Sequence, residues 1–278
     1  MIKKKRKEKL KKTVLFLGLF VCVVIVSLPF FWMVSSSFKD NTEVFTFPIH
    51  WIPKKWHVEN YREIWTKVSL LTFFKNTIFL SVTITMFQLL TSSIAAYGFS
   101  KLRFKGRNLL FFIYIMTIAV PWQAYMIPQF VILRKLGLVD NLWALVLLQS
   151  FSAFSVFMMK QFYETIPDSL CESARMDGLS EWGIYWKIIF PLSKPVIASL
   201  TIITFVNVWN DYMGPFIYLS STENKTIQVG LKMFIGLYDA EYAQIMAASV
   251  VSIIPITIVF LCMQKYFVKG IASSGIKG

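Results

Sequence analysis

A cluster of polar and aromatic residues near position 210 has side chains suited to binding a ring-shaped polar solute. Amide and carboxylate groups hydrogen-bond to hydroxyl groups, and aromatic rings pack against the apolar faces of sugar rings. The surrounding stretch is apolar, and Asp211 is the one Asp, Glu, Lys, Arg or His within the long apolar stretches of the sequence. The pattern predicts a solute path formed by Asn207, Trp209, Asn210, Asp211 and Tyr212.

A structural role for the same cluster is the alternative. Pro215 cannot donate to the carbonyl of Asp211, so a helix kinked there leaves a backbone acceptor beside the carboxylate. The two asparagines and Asp211 would then satisfy the kink and neighbouring helices, with Trp209 and Tyr212 at the outer membrane interface. The sequence leaves both interpretations open.

Motifs for catalysis, metal binding and nucleotide binding are missing from the sequence. His50 and His57 are seven residues apart, which fits neither H-E-x-x-H nor a pair on one helical face. There is no G-x-S-x-G, and the nearest approach to a P-loop, the ending GIASSGIKG, has Ile276 between glycine and lysine. We therefore expect a chain that is not an enzyme and holds no metal or cofactor of its own.

The long apolar stretches predict an all-α membrane protein. The sequence is 56% hydrophobic and 16% charged, outside the usual range of soluble domains. A bilayer core about 30 Å thick requires about 20 apolar residues per span, because only a helix satisfies its own backbone in lipid. Six transmembrane helices are predicted, at 13–34, 77–98, 108–130, 142–159, 195–218 and 244–264. Prolines are expected to interrupt and bend them at Pro29, Pro121, Pro128 and Pro255.

The distribution of basic residues predicts the orientation in the membrane. Eight lysines and arginines lie in the first twelve residues, four lie in 101–107, and Lys265, Lys269 and Lys277 lie near the end. The positive-inside rule places all three groups, and hence both termini, in the cytoplasm. We expect a basic tail at 1–12, one six-helix domain at 13–278, and outer loops at 35–76, 131–141 and 219–243.

A charged, glycine-broken loop at about 164–194 separates the fourth and fifth predicted spans. Pro167 stands at a helix-start position, and Gly178 stands where a left-handed residue would close that helix. Ser180 can cap a second helix, which Pro191 is expected to stop. The loop is either a docking element for a soluble partner or an interfacial amphipathic connector. The second helix has an apolar stripe of Trp182, Tyr185, Trp186 and Ile189, widened by Ile184 and Ile188.

This loop resembles the signature of type I ABC importer permeases. ESARMDGL (172–179), eight further residues and IIFP (188–191) are similar to that family's E-A-A-x-x-D-G-A, eight residues, I-x-L-P. Ser173, Leu179 and Phe190 depart from it conservatively. In that family the loop is the coupling helix, lodged in a groove of the ATP-binding subunit. The resemblance implies ATPase coupling through Glu172, Ser173, Ala174, Asp177, Gly178, Ile188 and Pro191.

Weaker motifs in the family's order resemble the smaller permease of maltose-type carbohydrate importers. They are SSFKD (36–40), AAYGFSKLRFKGR (95–107), VWNDYMGP (208–215) and the ending GIASSGIKG. The resemblance covers nearly the whole chain, with the family core at about 71–268, and implies import of a sugar, oligosaccharide or related glycoside across the bacterial cytoplasmic membrane. Implied partners are a second homologous permease, two ATP-binding subunits that hold ATP and Mg, and an extracytoplasmic solute-binding protein. The outer segment 220–244 would reach into the cleft of that binding protein.

An ion-coupled secondary carrier is the principal alternative, and a membrane enzyme is a third. A carrier normally needs several charged relays within the membrane, whereas this chain offers one carboxylate. An enzyme would need a catalytic constellation that is missing here. No nucleic-acid partner is expected, because the basic residues follow membrane topology and do not lie on one soluble face.

Overall fold

The described chain is helical. The computed structural model describes residues 2–236 and 240–274. Within this part no strand occurs apart from one isolated bridge between Ile235 and Ala240. The predicted all-α class is confirmed for these residues.

Fourteen α-helices occur in the described part of the chain. A π-helical segment, Tyr185–Ile189, joins the ninth helix to the tenth. The helices are α1 (Ile2–Ser36), α2 (Glu59–Lys67), α3 (Leu70–Lys101), α4 (Arg107–Met116), α5 (Met126–Lys135), α6 (Leu142–Gln149), α7 (Ala153–Glu164), α8 (Asp168–Met176), α9 (Glu181–Ile184), α10 (Phe190–Leu192), α11 (Lys194–Trp209), α12 (Met213–Tyr218), α13 (Ile227–Lys232) and α14 (Tyr242–Ser274).

Three helices are long and apolar enough to cross a bilayer. They cover Lys9–Ser36, Leu70–Lys101 and Tyr242–Lys265. Two bent pairs also qualify if each is taken as one span: α6 with α7, bent by 42°, and Glu181–Leu192 with α11, bent by 74°. Length and composition thus support three to five spans among the described residues. Six spans with both termini in the cytoplasm stay a prediction.

The region predicted as the third span is not one helix. A 3-10 turn, Thr117–Ala119, follows α4, and a second one, Trp122–Ala124, precedes α5. Val120 and Pro121 between the turns are extended. Pro121 cannot donate to the helical ladder, and proline disfavours a helical residue before it. The apolar helix of this region covers Arg107–Ala119 and is shorter than a span.

The other three prolines do not interrupt helices. Pro29 and Pro255 lie inside α1 and α14. Pro128 lies in the first turn of α5, where a missing N–H group leaves no helical hydrogen bond unmade. The predicted interruption is therefore wrong at these three positions, whereas bending at Pro29 and Pro255 stays a prediction.

The chain divides into two compact units. One comprises Met1–Val68 and Leu231–Ile253, and the other comprises Ser69–Gly230 and Ile254–Gly278. The second unit contains both stretches that the sequence analysis selected.

In the first unit a buried lysine organises the chain after α1. The Nζ of Lys39 donates to the carbonyl of His50 at 2.6 Å and lies 3.9 Å from the ring centroid of Trp32. Asn60 donates to the carbonyls of Ser37 and Lys39 at 3.0 and 2.9 Å. Burial lowers the pKa of Lys39, because it disfavours the charged form. The SSFKD motif thus positions the loop that follows α1.

In the second unit α3 packs against both α7 and α11. Two buried apolar clusters form around these helices, one beside the loop at 164–194 and one beside α6 and α12. The first includes Tyr97, Met159, Tyr163, Tyr185 and Leu200, and the second includes Leu80, Ile84, Leu145, Val208 and Tyr218.

Asp140 holds the start of the segment that follows α12, which is predicted to be an outer loop. Its Oδ1 accepts from the backbone N–H groups of Ser220 and Ser221 at 2.9 and 3.0 Å, and its carbonyl accepts from Asn224 at 2.6 Å. Burial would raise the pKa of Asp140, but the hydrogen bonds from Ser221 and Ser220 hold it below its ordinary value. The start of this segment is therefore held in place. Residues 237–239 of the predicted outer segment lie outside the described residues.

Candidate coupling elbow and solute path

The first short helix of the loop begins and ends as predicted. Pro167 precedes α8, and Cys171 and Ala174 form its buried face. Gly178 has φ +83°. The N–H of Leu179 donates to the carbonyl of Ala174 at 3.0 Å, and the N–H of Gly178 donates to that of Arg175 at 3.0 Å. This pair of bonds is a Schellman motif, so the predicted left-handed helix end is confirmed.

The second helix is capped as predicted but does not stop at Pro191. The hydroxyl of Ser180 accepts from the N–H of Gly183 at 3.2 Å. The helical path continues through the π-helical segment and α10, and breaks at Ser193. Proline cannot donate to the carbonyl four residues before it, and the wider π turn just ahead accommodates this loss. We call residues 168–192 the coupling elbow.

The predicted apolar stripe is only partly buried. Ile184, Tyr185 and Ile189 lie in the core, whereas Trp182 and Trp186 are 61% and 46% exposed. The extra residue per turn in the π segment changes which side chains share a face. The predicted stripe is therefore divided between the core and the exposed surface of the loop.

Three residues of α3 hydrogen-bond to the elbow and to the residues just before it. Lys101 donates from Nζ to the carbonyl of Ile166 and to Oδ1 of Asp168, both at 2.6 Å. Tyr97 donates to Oε2 of Glu181 at 2.6 Å. The Lys101 ammonium holds the pKa of the Asp168 carboxyl below its ordinary value. Since a lowered pKa keeps Asp168 ionised, this ion pair persists at neutral pH and weakens only in strong acid.

Ser93 provides the third contact of α3. Its Oγ is 2.6 Å from the Tyr163 hydroxyl and 2.9 Å from the Tyr185 hydroxyl. The latter residue belongs to the π segment, so α3 is bonded to both parts of the elbow. An ion pair between Arg175 and Glu181, with Nε to Oε1 at 2.7 Å, also joins the two parts.

The residues predicted to couple to an ATPase differ in exposure. Glu172, Ser173, Asp177, Gly178 and Pro191 are exposed. Ala174 is buried and Ile188 is half-buried, so these two support the elbow from within. The Glu172 side chain borders a groove of about 800 Å³ between the elbow and the chain after α3. Basic and acidic side chains both line this groove. The basic ones are Lys101, Arg103, Arg107 and Arg175, and the acidic ones are Glu164, Asp168, Glu172 and Glu181.

A cavity of about 620 Å³ contains two of the five predicted solute-path residues, Asn207 and Asp211. Its lining combines amides, hydroxyls and aromatic rings and, among the described residues, contains no lysine or arginine. Polar members are Gln88, Gln123, Gln129, Gln149, Ser152, Ser155 and Thr204, and aromatic members are Trp122, Tyr125, Phe151, Phe154 and Tyr218.

Asp211 has both a structural role and a place in the cavity wall. Its Oδ1 accepts from the N–H of Gly214 at 3.1 Å, and its Oδ2 accepts from Gln149 Nε2 at 2.8 Å. The helix does not kink at Pro215 as predicted, because α11 ends at Trp209 and α12 begins at Met213. Asp211 bridges this break, and a Cβ at Gly214 would lie 2.6 Å from its Oδ2.

The other three predicted path residues are not in the cavity lining. Trp209 is fully buried, stacked on Phe205 with centroids 5.6 Å apart and in edge contact with Phe74 at 5.4 Å. Asn210 is exposed and accepts from Gln228 at 3.3 Å. Tyr212 stacks on Phe216. Trp209 therefore belongs to the core, not to the outer membrane interface.

Several polar residues at these sites were missed by the sequence analysis. Gln88 donates to Ser155 Oγ at 2.7 Å and to Thr204 Oγ1 at 3.0 Å. Gln129 accepts from Trp122 and Tyr218 at 3.2 and 3.0 Å. Glutamines inside long apolar stretches could have indicated these sites, because an amide without hydrogen-bond partners is costly in a membrane.

Known proteins resemble the chain along most of its length. Residues 88–273 match the family described as binding-protein-dependent transport system inner membrane component. The arabinooligosaccharides transport system permease protein AraQ of Halalkalibacterium halodurans is 31% identical, covering 99% of this chain and 100% of the relative. The polygalacturonan/rhamnogalacturonan transport system permease protein YtcP of Bacillus subtilis is 32% identical, with coverage of 98% and 100%.

A solved structure is similar in fold as well as in sequence. It is a chain from the crystal structure of a bacterial ABC transporter involved in the import of the acidic polysaccharide alginate. The TM-score is 0.83 at 29% identity, and the alignment covers 94% of this chain and 98% of that one. The protein belongs to the binding-protein-dependent transport system inner membrane component family and has the fold of ABC importer permeases.

Proposed function

We propose that this chain forms half of the translocation pathway of an ABC importer for a sugar, oligosaccharide or related glycoside. The observation that carries the proposal is the coupling elbow, whose exposed surface is held by a Schellman motif and by hydrogen bonds to α3. A flexible connector would absorb a push from a soluble partner, whereas this one can transmit it. The family and the named activities of the relatives support the same assignment.

The proposed complex contains a second homologous permease, two ATP-binding subunits and an extracytoplasmic solute-binding protein, in the bacterial cytoplasmic membrane. ATP and Mg would be held by the ATP-binding subunits. The exposed residues Glu172, Ser173, Asp177, Gly178 and Pro191 would face them in the elbow, with Ala174 and Ile188 supporting that surface from within.

The cavity supports the proposal that this chain forms part of a path for polar solutes. Its amides and hydroxyls can hydrogen-bond to sugar hydroxyls, and its rings can pack against sugar faces. Asn207 and Asp211 are the path residues that we retain; Trp209, Asn210 and Tyr212 would act indirectly, through the helix break beside the cavity.

Uptake into proteoliposomes tests the proposed function. With the partner permease, the ATP-binding subunits and the binding protein present, uptake is expected to require both ATP and the binding protein. Uptake driven by a proton or sodium gradient without ATP would instead identify an ion-coupled carrier. Chemical turnover by the isolated chain would identify a membrane enzyme.

Asp211→Asn is expected to change solute handling while leaving the complex assembled. An asparagine can still accept from Gly214, so the helix break keeps its cap while the cavity loses a negative charge. We expect about a tenfold change in the solute concentration needed for half-maximal uptake, because hydrogen bonds to a charged group contribute about 1.5–3 kcal/mol. Uptake titrations with Asp211→Asn and the neighbouring Asn210→Ala measure this effect. Asn210→Ala is the control, because Asn210 does not line the cavity. If the solute concentration for half-maximal uptake were unchanged in Asp211→Asn as well, Asp211 would have a structural role alone.

A further inference from the structure

We propose that α3, through its polar side-chain contacts, transmits the movement of the coupling elbow to the solute cavity, with Lys101 as the positioning residue at the end nearest the elbow. This inference rests on the proposed function. Ser93, Tyr97 and Lys101, spaced four residues apart, contact the elbow, and Gln88, five residues before Ser93 and on a different side of the helix, contacts the cavity wall. Residues four apart lie on the same side of a helix, so the three contacts with the elbow are in line.

Lys101 fixes the start of the elbow by hydrogen bonds to the residues before and after Pro167. Its side chain is 3% exposed, and it bonds to a carbonyl before the proline and a carboxylate after it. A buried ammonium is costly unless it is paired and hydrogen-bonded. Since the Asp168 side chain is 68% exposed, the lysine is the desolvated member of the pair. Displacing the start of α8 from Lys101 would leave this charge without its partners.

Tyr97 and Ser93 attach the second part of the elbow to the same helix. Tyr97 bonds to Glu181, which also pairs with Arg175 of α8. Ser93 bonds to Tyr185 in the π segment and to Tyr163 at the end of α7. The two parts of the elbow are therefore fixed to α3 at separate points. A push on the elbow moves α3 and does not simply bend the loop.

Gln88 connects the same helix to the cavity wall. Its amide bonds to Ser155 of α7 and Thr204 of α11, and all three residues line the cavity. A shift of α3 along its axis therefore changes the cavity lining directly. The polar contacts of a single helix reach from the elbow to the cavity.

The variant Lys101→Met tests the inference, with Lys105→Met as the matched control. Lys105 is an exposed lysine in the loop just after α3, so both changes remove one charge. The four-subunit complex is purified, and ATP hydrolysis is measured before and after adding the binding protein purified with its native solute. Lys101→Met is expected to retain the ATPase subunits and basal hydrolysis. The stimulation of ATP hydrolysis by the binding protein is expected to fall at least about fivefold, the lower end of typical coupling between sites. Lys105→Met is expected to match the wild type.

Two further measurements distinguish positioning from folding. Lys101→Arg should restore most of the stimulation, because it keeps a cation near Asp168 and Ile166. Hydrogen exchange of the amides at 168–184 should accelerate in Lys101→Met and in Tyr97→Phe, which removes one hydroxyl. Full stimulation in both variants would overturn the inference, as would loss of the ATPase subunits in parallel with thermal stability. A wild-type complex without stimulation would instead contradict the proposed function.

Discussion

Gly178→Val permeases are expected to reach the membrane in normal amounts but to lose productive coupling to the ATPase subunits. Gly178 has φ +83°, a conformation that a β-branched residue adopts only at a strain of about 1–2 kcal/mol. A Cβ built there has no neighbour within 4 Å, so the backbone conformation and not a clash opposes the substitution. The chain relieves the strain by leaving the left-handed region, which breaks the Schellman bonds and redirects the exposed surface of the elbow. Co-purification of the ATPase subunits and ATP-dependent uptake measure the effect.

Matched variants separate conformation from side-chain loss. Gly178→Asn should be close to wild type, because asparagine tolerates the left-handed region. Gly137→Val introduces the same strain at φ +68° in another loop and should leave ATPase association intact. Glu172→Ala, on the exposed face of α8, should weaken association without redirecting the elbow. Normal assembly, ATPase stimulation and uptake in both Gly178→Val and Glu172→Ala would reduce the loop to an interfacial connector.

Trp209→Ala is expected to lower the free energy of unfolding by about 3–5 kcal/mol, the usual cost of removing a fully buried tryptophan. The indole lies between Phe205 and Phe74, so the substitution leaves a cavity where α11 packs against α3. Because α11 ends at this residue, the helix break that positions Asp211 also loses its support. Thermal unfolding of the purified complex in detergent measures the loss.

The size and location of the Trp209 effect can be checked with two controls. Trp209→Phe keeps most of the apolar volume and should lose much less stability. Trp143→Ala removes a tryptophan that is 51% exposed, and its effect on unfolding should be smaller than that of Trp209→Ala. If Trp209→Ala were as stable as the wild type while solute affinity fell, the residue would have to contact the solute directly.

The elbow could be predicted from sequence because its determinants are local. Pro167, Gly178 and Ser180 act on the backbone within a few residues of themselves, through a fixed φ, a left-handed helix end and a side-chain cap. The all-α class was predictable for a similar reason, since long apolar stretches satisfy their backbone in lipid only as helices. Pro191 was misjudged because the π segment ahead of it, a local irregularity, has no comparable sequence sign.

The helical class, the glycine that closes α8 and the composition of the candidate sites follow from the amino-acid sequence alone. Which polar residues contact each other depends on tertiary packing. Lys101 and Asp168 are 67 residues apart in the chain, and Gln149 and Asp211 are 62 apart. No local pattern specifies such pairs, because they depend on how α3, α6 and α11 pack. The same packing buries Trp209 and leaves Asp211 in the cavity wall. The motif VWNDYMGP specifies which side chains are present, but the break between α11 and α12 determines which of them face the cavity.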